Sequence, residues 1–322
     1  MKFFLKLALF VLSFCLIICT NSNAKISKRE NLPKKLKIVT TIFPQYDFIR
    51  EIAKDKVELS MLLHPGTQAH SFEPTPSDII KIKNCDIFVY VGGENEDWVK
   101  DKILASIDTK GKTVLALLDL VKLVEEEIIE GMQEEQEDES KKSKEEKEYD
   151  EHVWTSPKNA KIIVKALTQA LSKKDSENSQ YYKQNMQEYL KNLDALDIEF
   201  KNIVKNAKRK TIIFGDRFPF RYFADDYKLK YYAAFAGCST ESDASAATIS
   251  FLIKKVSSER IPVVFHIELS NQKIADAICE QTRTKKLLMN SCHNVTKKEF
   301  EKGISYLDLM KTNVENLKEA LQ

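Results

Sequence analysis

The sequence predicts an α/β protein of two lobes, each a mainly parallel sheet flanked by helices, joined by one long α-helix. Three observations predict it. Strand and helix patterns alternate over residues 37–117, and the alternation restarts at Thr211 and runs to the C-terminus. Between them, residues 178–207 keep helical spacing, a length of roughly 45 Å at 1.5 Å per residue. Strands alternating with helices are the mark of βαβ units and so of parallel sheet.

In the first half, residues 37–41 read as a strand, 46–53 as a short helix and 57–63 as a second β-rich run. Thr75-Pro76 supplies an N-cap and a proline at the first helical position, and Asp78 in the first turn suits the helix dipole. That helix ends near Asn84. The apolar run 87–91 reads as a buried strand, followed by a helix at 98–107 and a strand at 113–117. Ser156-Pro157 opens another helix, reaching about Lys173.

On the long pattern, Tyr182, Met186, Tyr189, Leu190, Leu193 and Leu196 form one stripe. Such a helix exceeds what one small lobe needs and reads as a spine. A coiled-coil arm is the competing reading, against which stands a short stripe without clean heptads. The second half reads as strands at 211–214, 230–234, 263–267 and 286–289, with helices at 220–225, 244–256, 271–281 and 305–321. The expected organisation is a first lobe over 36–176, a linking helix over 177–207 and a second lobe over 208–322.

The length of 322 residues suffices for two domains with their own cores. A hydrophobic fraction of 43% and a charged fraction of 30% are those of a soluble globular chain. Net charge is +2, and no basic cluster is interleaved with aromatics, so no nucleic-acid partner is expected. Only 8 glycines occur and no Gly-rich phosphate loop is present, which speaks against nucleotide binding.

Residues 1–24 read as a signal peptide. Lys2 and Lys6 precede an apolar run over 7–18, and Ser22-Asn23-Ala24 offers a cleavage site. The run is too short for an ordinary membrane helix. Lipoprotein processing at Cys19 is the alternative, with bulky Ile18 against it. Either route places the mature chain outside the cytoplasm, in the periplasm or attached to the outer face of the membrane. Residues 125–151 are dominated by Glu, Asp, Lys, Gln and Ser and are expected to be mobile and solvated.

Of five histidines, His70 and His152 lie in loops just before capped helices, and His293 lies just after a strand. His266 and Glu268 sit at the end of the 263–267 strand. In open α/β sheets the loops at the carboxyl ends of strands line the ligand crevice, so metal-competent side chains fall where such loops converge. Their wide separation excludes a finger-type structural zinc site. No HExxH pair or G-x-S-x-G elbow occurs, which speaks against an exported zinc-dependent hydrolase, the competing class beside a surface adhesin with a structural metal site.

The stretches Pro65-Gly66-x3-His70-Ser71-Phe72-Glu73-Pro74-Thr75-Pro76 and His152-Val153-Trp154 resemble the first and second metal-histidine motifs of the bacterial solute-binding proteins that serve zinc and manganese ABC importers. The resemblance runs from about Lys37 to the C-terminus. It implies two α/β lobes linked by a rigid helix, no enzymatic activity, His70 and His152 as ligands, and delivery to the membrane permease of an importer. The family's third ligand, a histidine or glutamate, follows the first strand of the second lobe. By position that is Gly215 here, which has no side chain, and neighbouring Asp216 either substitutes or pairs with Arg217. The fourth is usually a late carboxylate, near which His293 stands.

Three imidazoles plus one donor suit Zn²⁺, with Mn²⁺ favoured only if oxygen ligands enter. Glu268 is the fourth-ligand candidate; its alternative is a buried ion pair with Arg217 or a lysine. Glu73, Asp150 and Glu268 are available to hold the outer nitrogens of ligand histidines. Cys238 and Cys292 form a disulfide pinning the His293 loop, act as thiolates, or are inert thiols. A monomer is expected.

Overall fold

The computed structural model describes residues 35–68, 72–132, 148–239 and 243–322. The expected signal peptide with Cys19, the ligand candidate His70 and the middle of the acidic segment (133–147) lie outside the described residues. Lys35–Gln322 form one compact unit, and no helix among the described residues is long and apolar enough to cross a membrane.

Two four-stranded sheets organise that unit. The first contains β1 (Leu36–Thr40), β2 (Val57–Met61), β3 (Ile87–Tyr90) and β4 (Thr113–Ala116), all parallel, in the order β2-β1-β3-β4. The second contains β5 (Thr211–Phe218), β6 (Lys230–Ala236), β7 (Val263–His266) and β8 (Lys285–Leu288), also parallel, in the order β6-β5-β7-β8. The order is the same in both halves. Each sheet therefore has a switch point, between β1 and β3 and between β5 and β7, where successive crossovers leave in opposite directions and open a crevice.

The helices are α1 (Phe43–Ala53), α2 (Pro76–Asn84), α3 (Pro157–Lys174), α4 (Ser179–Lys205), α5 (Arg221–Tyr227), α6 (Ala246–Ser258), α7 (Lys273–Thr282), α8 (Lys297–Glu301) and α9 (Tyr306–Leu321). Thr75 and Asp78 cap α2 reciprocally, and Ser305 and Asp308 do the same for α9. In place of the helix expected over 98–107 there is only a wide π-helical turn, Val99–Leu104, closed by Ala105 N–H donating to Lys100 O at 3.3 Å.

Alternation along the strands sorts the core. Ile38, Val89, Ile212, Phe214 and Phe265 face inward into one continuous cluster that also takes in Tyr182, Leu193 and Phe200 of α4. Their neighbours Val39, Phe88, Ile213 and Val264 face outward into two smaller clusters, one under each outer helical layer. The two sheets thus share their inner core, with α4 running through it. Near one end, Asn185 Nδ2–H donates to Ile52 O of α1 at 2.8 Å. Farther along, Asp197 Oδ1 accepts from the Tyr227 hydroxyl of α5 at 2.9 Å.

The described flanks of the acidic segment are docked, contrary to the solvated segment expected over 125–151. Glu125 bridges Tyr149 in antiparallel fashion, and Asp150 N–H donates to Val124 O at 3.0 Å. Glu127 lies 3.4 Å from Arg221, and Glu130 lies 3.2 Å from Lys255. Ile129 and Met132 add apolar anchors against the cores. Enough opposite charge and buried area is available to outweigh the polar composition.

β5 runs on to Phe218, four residues past its expected end, through a register shift between Phe214 and Arg217. Gly215 in this bulge lies against α7, where a Cβ would come within 2.4 Å of the Ala275 Cα and 2.6 Å of its nitrogen. Gly215→Ala therefore forces backbone apart and should cost about 1–3 kcal/mol, read as a lowered urea midpoint at unchanged slope.

Candidate metal centre

His152 opens a 3₁₀ turn, Val153–Thr155, that feeds into α3; Ser156 caps that helix by accepting Asn159 N–H at 3.1 Å. Asp150 Oδ1 accepts the His152 backbone N–H at 2.8 Å and lies 3.2 Å from the ring Nδ1. A carboxylate on one ring nitrogen fixes the tautomer, so Nε2 is the nitrogen that could hold a metal. His152 is 1% exposed. Burial opposes its protonation, but Asp150, with Glu151 and Glu126 nearby, raises its pKa above the ordinary imidazole value. The Tyr222 hydroxyl donates to Asp150 O at 2.8 Å. Gly237, past the end of β6, closes the far side: a Cβ there would stand 3.0 Å from Asp150 Oδ2 and 3.3 Å from His152 Nδ1.

His293 comes from the loop after β8. Glu268 builds that loop, one oxygen accepting from Ser291 N–H at 2.7 Å, the other from the Ser291 hydroxyl at 2.6 Å and His293 N–H at 3.0 Å. The Trp154 indole N–H donates to Ser291 O at 2.8 Å, tying the loop to the turn after His152. The His152 and His293 rings stand edge-on with centroids 5.5 Å apart, and Trp154 lies 5.4 Å and 5.0 Å from them.

Two adjoining cavities meet at His293. One is lined by Thr67, Gln68, His152, Arg217, Gly237, Glu268, Ser270 and Asn294, at the β5/β7 switch point. The other is lined by Thr41, Phe72, Val91, Asn95, Glu96, Glu151 and Trp154, at the β1/β3 switch point. Gln68 and Phe72, the described residues on either side of 69–71, thus belong one to each cavity.

The other expected site residues fall into supporting places. Asp216 uses both oxygens on backbone, accepting from Arg217 N–H at 2.9 Å and Ile267 N–H at 3.2 Å, which ties β5 to β7. It is Arg217 that lines the cleft, with Nε donating to Ser239 O at 2.5 Å. His266 Nδ1 lies 3.0 Å from Ile267 O. Of the alternatives for Cys238 and Cys292, the disulfide is not formed; both are free thiols. Cys292, with φ at +61°, is sealed in the core near Tyr189, Asp47 and Tyr306, whereas Cys238 lies among Asp150, Glu151 and Glu126. Burial pushes both thiols well above the ordinary range, so neither is a ready thiolate.

Sequence reasoning passed over Glu96 and Glu151, both buried on the cavity floor. Glu96 Oε2 accepts from Val91 N–H at 2.6 Å and Gly92 N–H at 3.1 Å, and Glu151 accepts from the backbone and side-chain amides of Asn95 at 3.0 and 3.1 Å. Desolvation raises each carboxyl to about 7. Two buried acids in a Gly-Gly-Glu-Asn-Glu turn and beside a histidine carry no distinctive spacing, so only geometry reveals them.

Two parallel-sheet lobes, with facing switch points and imidazoles between them, define a solute-binding protein of the metal-capturing class. The chain belongs to the family described as zinc-uptake complex component A, periplasmic, whose profile matches residues 38–320. It is 34% identical over 317 residues to the high-affinity zinc uptake system protein ZnuA of Bacillus subtilis, covering 97% of each chain. It is 29% identical over 318 residues to the zinc-binding lipoprotein AdcA of Streptococcus pneumoniae, covering 98% of this chain but 60% of that one. Among solved structures, the metal-dependent lipoprotein YcdH of Bacillus subtilis is 30% identical with a TM-score of 0.74, covering 89% of this chain and 100% of that one. The Zn(II)-bound ZnuA-like domain of Streptococcus pneumoniae AdcA is 27% identical with a TM-score of 0.72, covering 89% and 99%.

The buried acids make stability pH-dependent. A carboxyl that holds its proton to about pH 7 when folded, but releases it near 4.5 when unfolded, stabilises the fold below about pH 4.5. That contribution is lost as pH rises to 7. Glu96→Gln keeps the acceptor and removes the charge. Urea unfolding at pH 5 and pH 8 should show wild type losing on the order of 2–3 kcal/mol more than the variant across that interval.

Proposed function

We infer that this chain captures Zn²⁺ in the interlobe cleft and hands it to the permease of an ABC importer. The observation that carries this reading is the meeting of His152 and His293, edge-on at 5.5 Å between ring centroids, where the two switch points face each other. The family's zinc-uptake description and the Zn(II)-bound relative support it.

The ligand set is His70, His152 and His293. The two metal-histidine motifs of the family carry His70 and His152, and Gln68 and Phe72 of the first motif's stretch line the two cavities that share His293. Glu268 and Asp216 act by holding loops, because their oxygens are occupied by backbone and hydroxyl donors. A nitrogen-rich donor set favours Zn²⁺ over Mn²⁺, which prefers oxygen.

The protein is a carrier and not a catalyst, working as a monomer outside the cytoplasm. Export through the 1–24 leader leaves it free in the periplasm or, with processing at Cys19, tethered to the membrane. Capture displaces any proton on the imidazoles, so affinity falls on acidification. Because the pKa of His152 is raised, that fall begins at a higher pH than for an unperturbed imidazole.

Titration of the metal-free protein against a competing zinc chelator tests the reading. Binding weaker than micromolar would sink it. His152→Ala and His70→Ala should each lower affinity at least about 100-fold, since each removes one of few ligands, while far-UV circular dichroism stays unchanged. Retention of wild-type affinity by both variants would overturn the ligand set.

A further inference from the structure

The loop after β8 enters the metal centre from the second lobe by sequence, yet part of its backbone is fastened to the first. His293 O accepts Phe43 N–H at the start of α1 at 3.3 Å, and Val295 O accepts Gly66 N–H at 2.7 Å. Between these two bonds lies Asn294, 2% exposed. Its amide nitrogen gives one hydrogen to His64 O and the other to Thr67 O, each at 2.8 Å. Its oxygen accepts Val295 N–H at 2.9 Å. A second contact lies alongside, with Gln68 Nε2–H donating to Leu269 O at 3.0 Å. Leu269 adopts φ of +58°, a costly backbone for a branched side chain, and this loop conformation presents its carbonyl to Gln68.

We propose that Asn294 is a positioning residue for metal binding, a pin that sets the distance between His293 and the 64–68 turn leading to His70. This inference rests on the zinc-capture reading. The physical case is one of satisfied donors. A buried primary amide with both hydrogens and its oxygen engaged has one geometry open to it. That geometry locks the backbone adjoining one imidazole to the turn that carries the chain toward another. Glu268 holds the same loop from the second-lobe side through Ser291 and His293, so the loop staples the lobes at the site itself. Ligand imidazoles held in register before the ion arrives make its escape slow, because loss of the metal needs the loops to part.

Asn294→Asp replaces a two-hydrogen donor with a carboxylate facing two carbonyl oxygens. With the full mature chain, stopped-flow release of Zn²⁺ into excess chelator should be at least about tenfold faster than in wild type, the range seen when partners of metal ligands are removed. The association rate should change less than about threefold, because affinity changes in related complexes lie mostly in dissociation. Co²⁺ loaded in place of Zn²⁺ should show a shifted visible absorption, reporting altered ligand geometry. Should Asn294→Asp fail to fold, Asn294→Ser and the exposed Gln68→Ala carry the same readouts with smaller effects in the same direction. A folded variant with unchanged zinc release and an unchanged Co²⁺ spectrum overturns the proposal, even if its melting temperature falls, since that pattern marks a scaffold role only. Wild type that takes up neither ion overturns the zinc-capture reading and this inference with it. Wild type that binds both, with indifferent variants, overturns this inference alone.

Discussion

Everything at the metal centre depends on the core that the two sheets share along α4. Its apolar stripe is buried on one side by the first sheet's helices and on the other by those of the second. Each large side chain that leaves water there contributes about 1.5–3 kcal/mol. That stripe sets where the two carboxyl-end crevices stand relative to each other, and the short loops bearing His152 and His293 can meet only because it does. Polar bonds then refine the arrangement, with Asn185 holding α1 and Asp197 holding α5 from opposite stretches of one helix.

The centre itself is built from groups that hold other groups. Asp150 orients the His152 ring and its backbone, Tyr222 steadies Asp150, and Glu268 shapes the turn that delivers His293. Both carboxylates work inside the chain. Asp150 engages one oxygen with the His152 backbone and ring, and Glu268 engages both with the Ser291 and His293 donors. Asp216 shows the same economy between β5 and β7.

Much of this was legible in the sequence where one dimension suffices. Strand runs, the Thr75 and Ser156 caps and the length of α4 depend on local pattern, and they are found within a few residues of where periodicity puts them. The resemblance marked His152 because its motif is contiguous. What could not be read depends on contacts between distant residues. Gly215 is explained by Ala275, the second oxygen of Asp216 by Ile267 and the docking of Ile129 by the cores it packs against. Charge composition misjudged the flanks of the acidic segment for the same reason, since Arg221 and Lys255 lie far along the chain. The thiol pair looked plausible because both cysteines follow second-lobe strands, but β-carbon direction is a property of the folded loop.

Gly237 has a consequence for how His152 can be approached. Bare backbone fills the space beside Nδ1 of His152 so closely that even a methyl group would crowd it, and the imidazole is almost sealed from water. The ring also lines the cavity bounded by Gln68, Arg217 and Ser270. A group that reaches the imidazole from that cavity shares the space with the Arg217 side chain, itself largely buried.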